Sequence, residues 1–257
     1  MEIEIDLGKN LEENAALYFE RSKKAKRTIT GLKKAIIAQK SKQTKTKKEK
    51  IDRHVHWFEK YHWFFSSDGY LVVGGKNAKQ NEEIVKNYMK PWDVYFHAEV
   101  YGAPHCVIKK DEKNRVKEVP KTTMNEAAKF AVTFSKAFES GQSSADAYSV
   151  LPEQVSKKAP SGMSMGSGAF MIYGERNWFK KTPISCAIGY NQKEKTLMSG
   201  PISAIKKKCI KVTILTQGNT EKNSAAKILQ KKYTDLGYDF SNDLVLSLLP
   251  NGKFNLD

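Results

Sequence analysis

The chain has 257 residues, 40% of them apolar, and a formal net charge of +16, enough to fill a domain-sized core and to favour polyanionic partners. No apolar run reaches about eighteen residues and the start, MEIEIDLGKN, is acidic, so the expectation is a cytoplasmic protein without membrane span or signal peptide. Cys106, Cys186 and Cys209 lie far apart in apolar contexts, which favours buried reduced thiols over a disulfide or metal framework.

From Leu11 onward, Leu11, Ala15, Tyr18, Ser22, Ala25, Ile29, Leu32, Ile36 and Gln39 are spaced alternately by four and three, with Asn10 as a cap. This predicts a coiled-coil seam presenting Leu11, Tyr18, Ile29, Leu32 and Ile36 to a partner helix, because one amphipathic helix buries nothing by itself. The partner comes from another chain or from a second arm of a hairpin. Between Arg21 and Lys50 stand thirteen Lys or Arg and one acid, Glu49, which is three quarters of the charge excess. Such a stripe is the footprint expected for nucleic acid, with Lys23, Lys24 and Arg27 as phosphate contacts; the alternative is a solvated basic tail. Apolar residues vanish over QKSKQTKTKKEK, yet Ile51, Val55, Phe58 and His62 resume the spacing. The expectation is a continuous helix from Asn10 to Arg53, about 65 Å long at the usual rise, with a flexible linker as the alternative.

The stretch Trp57–Lys110 then reads as a strand (His56–Phe65), a Ser66-Ser67-Asp68-Gly69 turn, a second strand (Tyr70–Val73), a glycine pair, a helix capped by Asn77 with Ile84, Val85 and Tyr88 inward, and two further strands (Val94–Glu99, His105–Ile108). A helix from Thr122 or Thr123 to about Phe138 presents Ala127, Phe130, Ala131 and Phe134, and Gly141 stops it. Tyr148–Val155 is expected as an extended edge because of Pro152, the Ser156–Gly168 run as a loop, and Ala169–Tyr173 and Ile184–Tyr190 as strands. A helix (Ile202–Lys208), a strand (Lys211–Leu215), a helix (Lys222–Tyr233) and the apolar segment Asp243–Leu249 make a small α/β tail. The predicted class is therefore α+β: a coiled-coil arm (1–55), a mostly antiparallel sheet with flanking helices (56–192) and a small C-terminal extension (193–257).

Gly74-Gly75-Lys76-Asn77 between a strand and a helix invites a phosphate-loop reading, but the spacing is one residue too long and Asn77 stands where Ser or Thr would hold magnesium. The same turn suits an RNA phosphate, through backbone N–H groups opening the helix with Lys76 beside them. His54, His56, His62, His97 and His105 fit no zinc frame, and Asp93, His97 and Glu99 are better read as structural hydrogen bonding than as an acid–base pair. Most rings of the set Trp57, Phe58, Tyr61, Trp63, Phe64 and Phe65 belong in the core, with one or two left to stack on a base. Lys157 and Lys158 form a cationic lip. No metal or cofactor is expected.

The wording WFEKYHWFFSSDGYLVVGGKNAKQNE followed by DVYFHAEVYGAPHCVIK resembles the NFACT-R module of the NFACT family of ribosome quality control proteins. IDLGKNLEENAALYFERSKKAKR is similar to the start of that family's second coiled-coil arm, and SGPISAIKKKCIKVTILTQGNTEKNSAAKIL to the segment after the module. The resemblance is carried by Trp57, Phe58, Glu59, Lys60, Gly69, Gly74, Gly75, Gln80, Asn81, Asp93, His97, Ala98, Gly102, Ser156, Lys157, Ala159, Pro160, Gly162, Gly168 and Phe170. Lys76-Asn77 stands where the family has Arg-Asp, Glu99 where it has Asp, and Pro104-His105 where it has two small residues. The resemblance implies a coil that runs along the large ribosomal subunit toward a ubiquitin ligase, and a module that helps hold tRNA over a stalled subunit. The family's N-terminal module, which drives tRNA recruitment for tailing, has no counterpart in this sequence, so the chain is expected to be a fragment or a reduced relative that does not direct tail synthesis alone.

The expectation is thus a non-catalytic RNA- and ribosome-binding factor of ribosome-associated quality control, with the large subunit, tRNA and a coil-bound ubiquitin ligase as partners and no membrane. Its RNA contacts are Gly74, Gly75, Lys76, Asn77, His97, Lys157, Lys158, Lys23, Lys24 and Arg27. The alternatives are an RNA-processing or RNA-modifying enzyme using the His97 pocket, and a coiled-coil scaffold.

Overall fold

A computed structural model describes residues 4–43, 53–158 and 165–256, with only the backbone of 34–43 and Asn114. The chain divides into two compact units, residues 1–50 and 51–257.

The first unit is a single helix, α1 (Leu11–Gln43). Its start is a reciprocal capping box: the Glu13 N–H donates to Asn10 Oδ1 (2.8 Å) and the Asn10 N–H to Glu13 Oε2 (3.0 Å). Asn14 folds the preceding turn onto the helix, accepting from the Asp6 N–H and donating to the carbonyls of Asp6, Lys9 and Asn10. Of the expected seam, Leu11 (83% exposed), Tyr18, Ile29 and Leu32 are all exposed, while the side chain of Ile36 lies outside the described residues. Among the described helices none matches α1 in length, the next longest having 14 residues.

The continuous helix expected through Arg53 is corrected in part. Residues 44–52 lie outside the described set, but Arg53–His56 is irregular, Trp57–Lys60 is a 3₁₀ turn, and the strand begins at His62 rather than His56. Arg53 is fixed by a bidentate pair with Glu59 (2.7 Å each) and His56 by Glu194 at 2.9 Å, and these anchors serve the head. The four-three spacing therefore does not mark a helix face: Val55 is exposed in the irregular segment, Phe58 is buried in the turn and His62 opens the strand.

In the second unit the elements run β1 (His62–Phe65), β2 (Leu71–Gly74), α2 (Ala78–Glu83) continued by a π turn, β3 (Val94–Ala98), β4 (Cys106–Lys109), α3 (Lys121–Thr133), α4 (Lys136–Glu139), β5 (Ser144–Val150), β6 (Val155–Ser156), β7 (Met171–Ile172), β8 (Asn177–Pro183), β9 (Cys186–Asn191), β10 (Thr196–Gly200), α5 (Ile202–Lys208), β11 (Ile210–Glu221), α6 (Lys222–Asp235), α7 (Asn242–Leu248) and β12 (Lys253–Leu256). A six-stranded sheet has the order β1-β2-β4-β3-β5-β8, a four-stranded sheet β10-β9-β11-β12, and β6-β7 forms a ribbon. Every ladder is antiparallel. Helix α3 lies on the larger sheet through Ala127, Phe130 and Ala131, all fully buried. The β1–β2 turn is tied to α3: Glu126, itself buried, accepts from the Ser67 N–H (2.8 Å) and from Ser203, and Thr123 donates to Asp68 Oδ2 (2.8 Å). Gly69 has φ +92°, the reason Asp-Gly is used there.

Two strand expectations are revised. Residues 144–150 are an interior strand, not an edge starting at Tyr148, because Pro152 falls beyond it in a 3₁₀ turn. Residues 177–183 form the actual edge strand, which sequence reasoning missed. The boundary expected at 192/193 cuts the β9–β10 hairpin, and the C-terminal segment is an antiparallel sheet with three helices sharing a core with the rest of the head. Gly200 shows how close that junction is, since a Cβ there would stand 3.0 Å from Phe64 Cγ.

Candidate nucleic-acid interface

The turn after β2 places the residues singled out in sequence. Gly74 and Gly75 are required for packing: a Cβ on Gly74 would lie 2.9 Å from Cys106 Sγ, and one on Gly75 2.2 Å from Asn81 Oδ1. Asn77 caps α2, its Oδ1 accepting from the Gln80 N–H at 2.9 Å. Gln80 Oε1 in turn accepts from the Lys76 N–H at 3.0 Å. Side chains thus already satisfy the amides of Lys76 and Gln80, which removes those two from the backbone N–H groups expected to be held open for a phosphate. What the turn contributes is the Lys76 ammonium. Asn81 extends the brace, its Oδ1 accepting from the His105 N–H (3.0 Å).

Lys76 opens into a cleft of about 590 Å³ whose walls include His62, His97, His105, Lys136, Phe170 and Asn251. His97 Nδ1 lies 3.2 Å from the Pro104 carbonyl, which requires the proton on Nδ1 and leaves Nε2 as an acceptor. Its ring centroid is 4.6 Å from that of His105, whose Nδ1 lies 2.6 Å from the Tyr95 hydroxyl. Burial lowers the pKa of both rings, that of His105 to about 3, so the pair is neutral near pH 7. Tyr148, Arg176 and Trp178 continue this wall: Arg176 stacks on Tyr148 at 4.6 Å and pairs with Glu99 at 2.8 Å, and Lys180 stacks on Trp178 at 3.8 Å.

The opposite end is cationic. Burial, then the neighbouring Lys222, lowers the pKa of Lys76 to about 8. Lys136 lies over the Tyr101 ring at 4.9 Å. Among the described residues no carboxylate lies within ion-pairing distance of Lys76, Lys136 or Lys222, whereas Lys60, Lys86, Lys109, Lys157, Lys180 and Lys253 all have one.

Lys157 is a clasp, not an open cation as expected. Its ammonium meets Glu82 at 3.3 Å and donates to the carbonyls of Gly166 (3.1 Å) and Ala169 (3.2 Å). Glu82 also accepts from the Gly168 N–H at 3.1 Å, and the Lys86, Gly168 and Lys157 bonds hold its carboxyl at about 2. This closes residues 166–170 over α2, where Gly168 (φ +75°) approaches Ala78 so closely that a Cβ would fall 2.7 Å from its backbone. Lys158 is exposed with no ion pair among the described residues, and residues 159–164 of the expected lip lie outside them. Lys23, Lys24 and Arg27 are exposed on α1, Lys23 facing Glu20 at 3.6 Å. The aromatic set is largely core: Phe58, Tyr61, Trp63 and Phe64 are buried, and Trp57 stacks on Tyr88 at 4.2 Å. The cleft residues that sequence reasoning missed are Lys136 and Asn251, with Lys222 bonded to Asn251 beside them; nothing local marks them, since they come near Lys76 only through the tertiary fold.

Residues 60–174 match the family described as the NFACT protein RNA binding domain. This part of the antiparallel head, which carries most of the cleft, is thus a domain of that family. Over 80% of its length the chain is 38% identical to the archaeal Rqc2 homolog aRqcH of Methanocaldococcus jannaschii, and over 64% it is 38% identical to the ribosome quality control complex subunit NEMF of Homo sapiens. With the subunit 2 of that complex from Schizosaccharomyces pombe it shares 32% identity over 73% of its length. The chain belongs to the NFACT family of ribosome quality control proteins. It spans 30% of the archaeal relative, 16% of the human one and 19% of the yeast one.

Proposed function

We propose that the chain is a non-catalytic RNA- and ribosome-binding factor of quality control in the cytoplasm, gripping tRNA and the large subunit of stalled ribosomes. The observation that carries this reading is the pair Lys76 and Lys136, half-buried or exposed lysines without acidic partners among the described residues, on a cleft also lined by Tyr95, Tyr148, Phe170 and two neutral histidines, with Lys222 near enough to act on Lys76. Cations held without counter-charges favour phosphate, and the rings beside them suit an unstacked base. Lys23, Lys24, Arg27 and Lys158 add a second, peripheral set of phosphate contacts. The exposed seam Leu11, Tyr18, Ile29 and Leu32 suits a partner helix, and a ubiquitin ligase is the proposed source.

An RNA-modifying enzyme is disfavoured by how the polar groups are engaged. Asp93 accepts from two backbone N–H groups and Lys109, Glu99, whose charge reaches His97, is paired with Arg176, and His97 is oriented by a carbonyl, so among the described residues no acid is hydrogen-bonded to the His97 ring. Co-sedimentation with large subunits, and tRNA binding measured over a salt series, test the proposal. Affinity is expected to fall steeply with salt, to weaken in K23Q/K24Q/R27Q and in K76Q, and to survive H97A. A protein that ignores both ligands at low salt, or an RNA-directed activity that H97A abolishes while binding persists, overturns it.

A further inference from the structure

Lys222 is the first residue of α6, a 14-residue helix, where the backbone dipole disfavours a cation. Its ammonium is nevertheless turned into the head and donates to Asn251 Oδ1 at 2.8 Å, and Asn251 lines the same cleft as Lys76. The nearby acids do not pair with it: Glu221 is engaged by Lys253 at 2.8 Å, and Glu139 lies beyond ion-pairing distance. Both ammonium groups are partly withdrawn from water, which lowers the pKa of each; Lys222 lowers that of Lys76 further, while the charge of Glu139 acts against the burial of Lys222. His62 stands on the cleft wall within the electrostatic reach of both lysines, its ring 4.4 Å from Phe134 and neutral through burial. Two partly buried positive charges and a carboxamide, with no carboxylate within ion-pairing distance of either lysine among the described residues, suit a ligand bearing two negative charges.

We propose that Lys76, Asn251 and Lys222, where the cleft meets at Asn251 the neighbouring hollow lined by Lys222, form a pocket for a terminal phosphate monoester, so that the protein prefers the phosphorylated end of an RNA strand to an internal position. A phosphodiester in the middle of a strand carries one negative charge and both its bridging oxygens lead onward into chain. A terminal monoester brings about two charges near pH 7 and three non-bridging oxygens, matching both lysines at once. This inference rests on the RNA-binding reading of the cleft.

The test uses the whole chain and one single-stranded RNA made with a 5′-phosphate, a 3′-phosphate or hydroxyls at both ends. One phosphorylated form is expected to bind about tenfold tighter than the hydroxyl form, the worth of one additional charge-assisted hydrogen bond. The ratio should collapse to about one in K222Q and persist in K222R. Equal affinity for the three RNAs, or a preference that survives K222Q, overturns the pocket while leaving RNA binding by the cleft intact. Inorganic phosphate provides the independent arm and separates a strand end from free phosphate. If no RNA binds, the RNA-binding reading fails, and a thermal stabilisation by phosphate over chloride at equal ionic strength, absent in K222Q, still supports the dianion pocket. No such stabilisation overturns it.

Discussion

Replacing Asp93 by alanine should unseat the strand that carries His97. Asp93 is 1% exposed, accepts from the N–H groups of Lys90 and Lys110 at 2.8 Å each, and pairs with the Lys109 ammonium, which is itself largely covered. Removing the carboxylate leaves two amides without partners and a largely covered ammonium with only the Tyr88 carbonyl and no counter-charge. Breaking one side of a buried pair costs about 3–5 kcal/mol. With a urea m-value of roughly 2–3 kcal/mol/M for a domain of this size, the midpoint should fall by about 1–2.5 M. Because an uncompensated charge is the cause, D93N/K109M should recover part of the loss, costing about 1–3 kcal/mol for the amide bonds it still disturbs. Equilibrium urea unfolding followed by tryptophan fluorescence measures both. A loss below about 1 kcal/mol in D93A, or a double variant as unstable as D93A, refutes the reasoning.

Three further outcomes follow from the groups around the cleft. G168A forces an alanine into a positive φ against the Ala78 backbone, and should release the 166–170 clasp, seen as faster proteolytic nicking there with little change in global stability. The Glu82 carboxyl is lowered to about 2 in the folded chain from an ordinary 4.5, so its contribution is full above about 4.5 and is lost as pH falls through that window toward 2. The protection of the Gly168 amide against hydrogen exchange, taken relative to its intrinsic rate at each pH, should fall over the same range. Lys76 titrates near 8 in a site shared with Lys222 and the neutral His62, so RNA affinity should decline between pH 7 and 9, and K76R should flatten that decline because a guanidinium keeps its charge.

Local chemistry made much of the head readable from sequence. The Ser66–Gly69 turn between aromatic strands, the Asn77 cap, the α3 face and the α5 and α6 helices each depend on residues a few positions apart, and each stands where the spacing puts it. Failures came where burial, not period, decides. The strand Ser144–Val150 is built from small residues because α3 lies directly over it, so it reads as a loop. Asn177–Pro183 shows water most of its residues, two of them lysines, and lacks apolar alternation. For the candidate site, Lys76 and His97 were marked by composition and turn chemistry. Lys157 looked the same in sequence as Lys76, and only the position of Glu82 distinguishes a clasp from an open cation. Lys222 and Asn251 come from the far end of the chain, where no short-range signal reaches.

The central claim is that the cleft lysines meet RNA phosphates. It is tested most directly by the slope of log affinity against log salt for a single-stranded RNA, compared between the unmodified chain and K76Q/K136Q. Each lost phosphate contact should reduce the slope by about 0.7, so the double variant is predicted to be shallower by about 1.4 with the fold intact by circular dichroism. An unchanged slope in a folded double variant would place the RNA elsewhere and contradict the account.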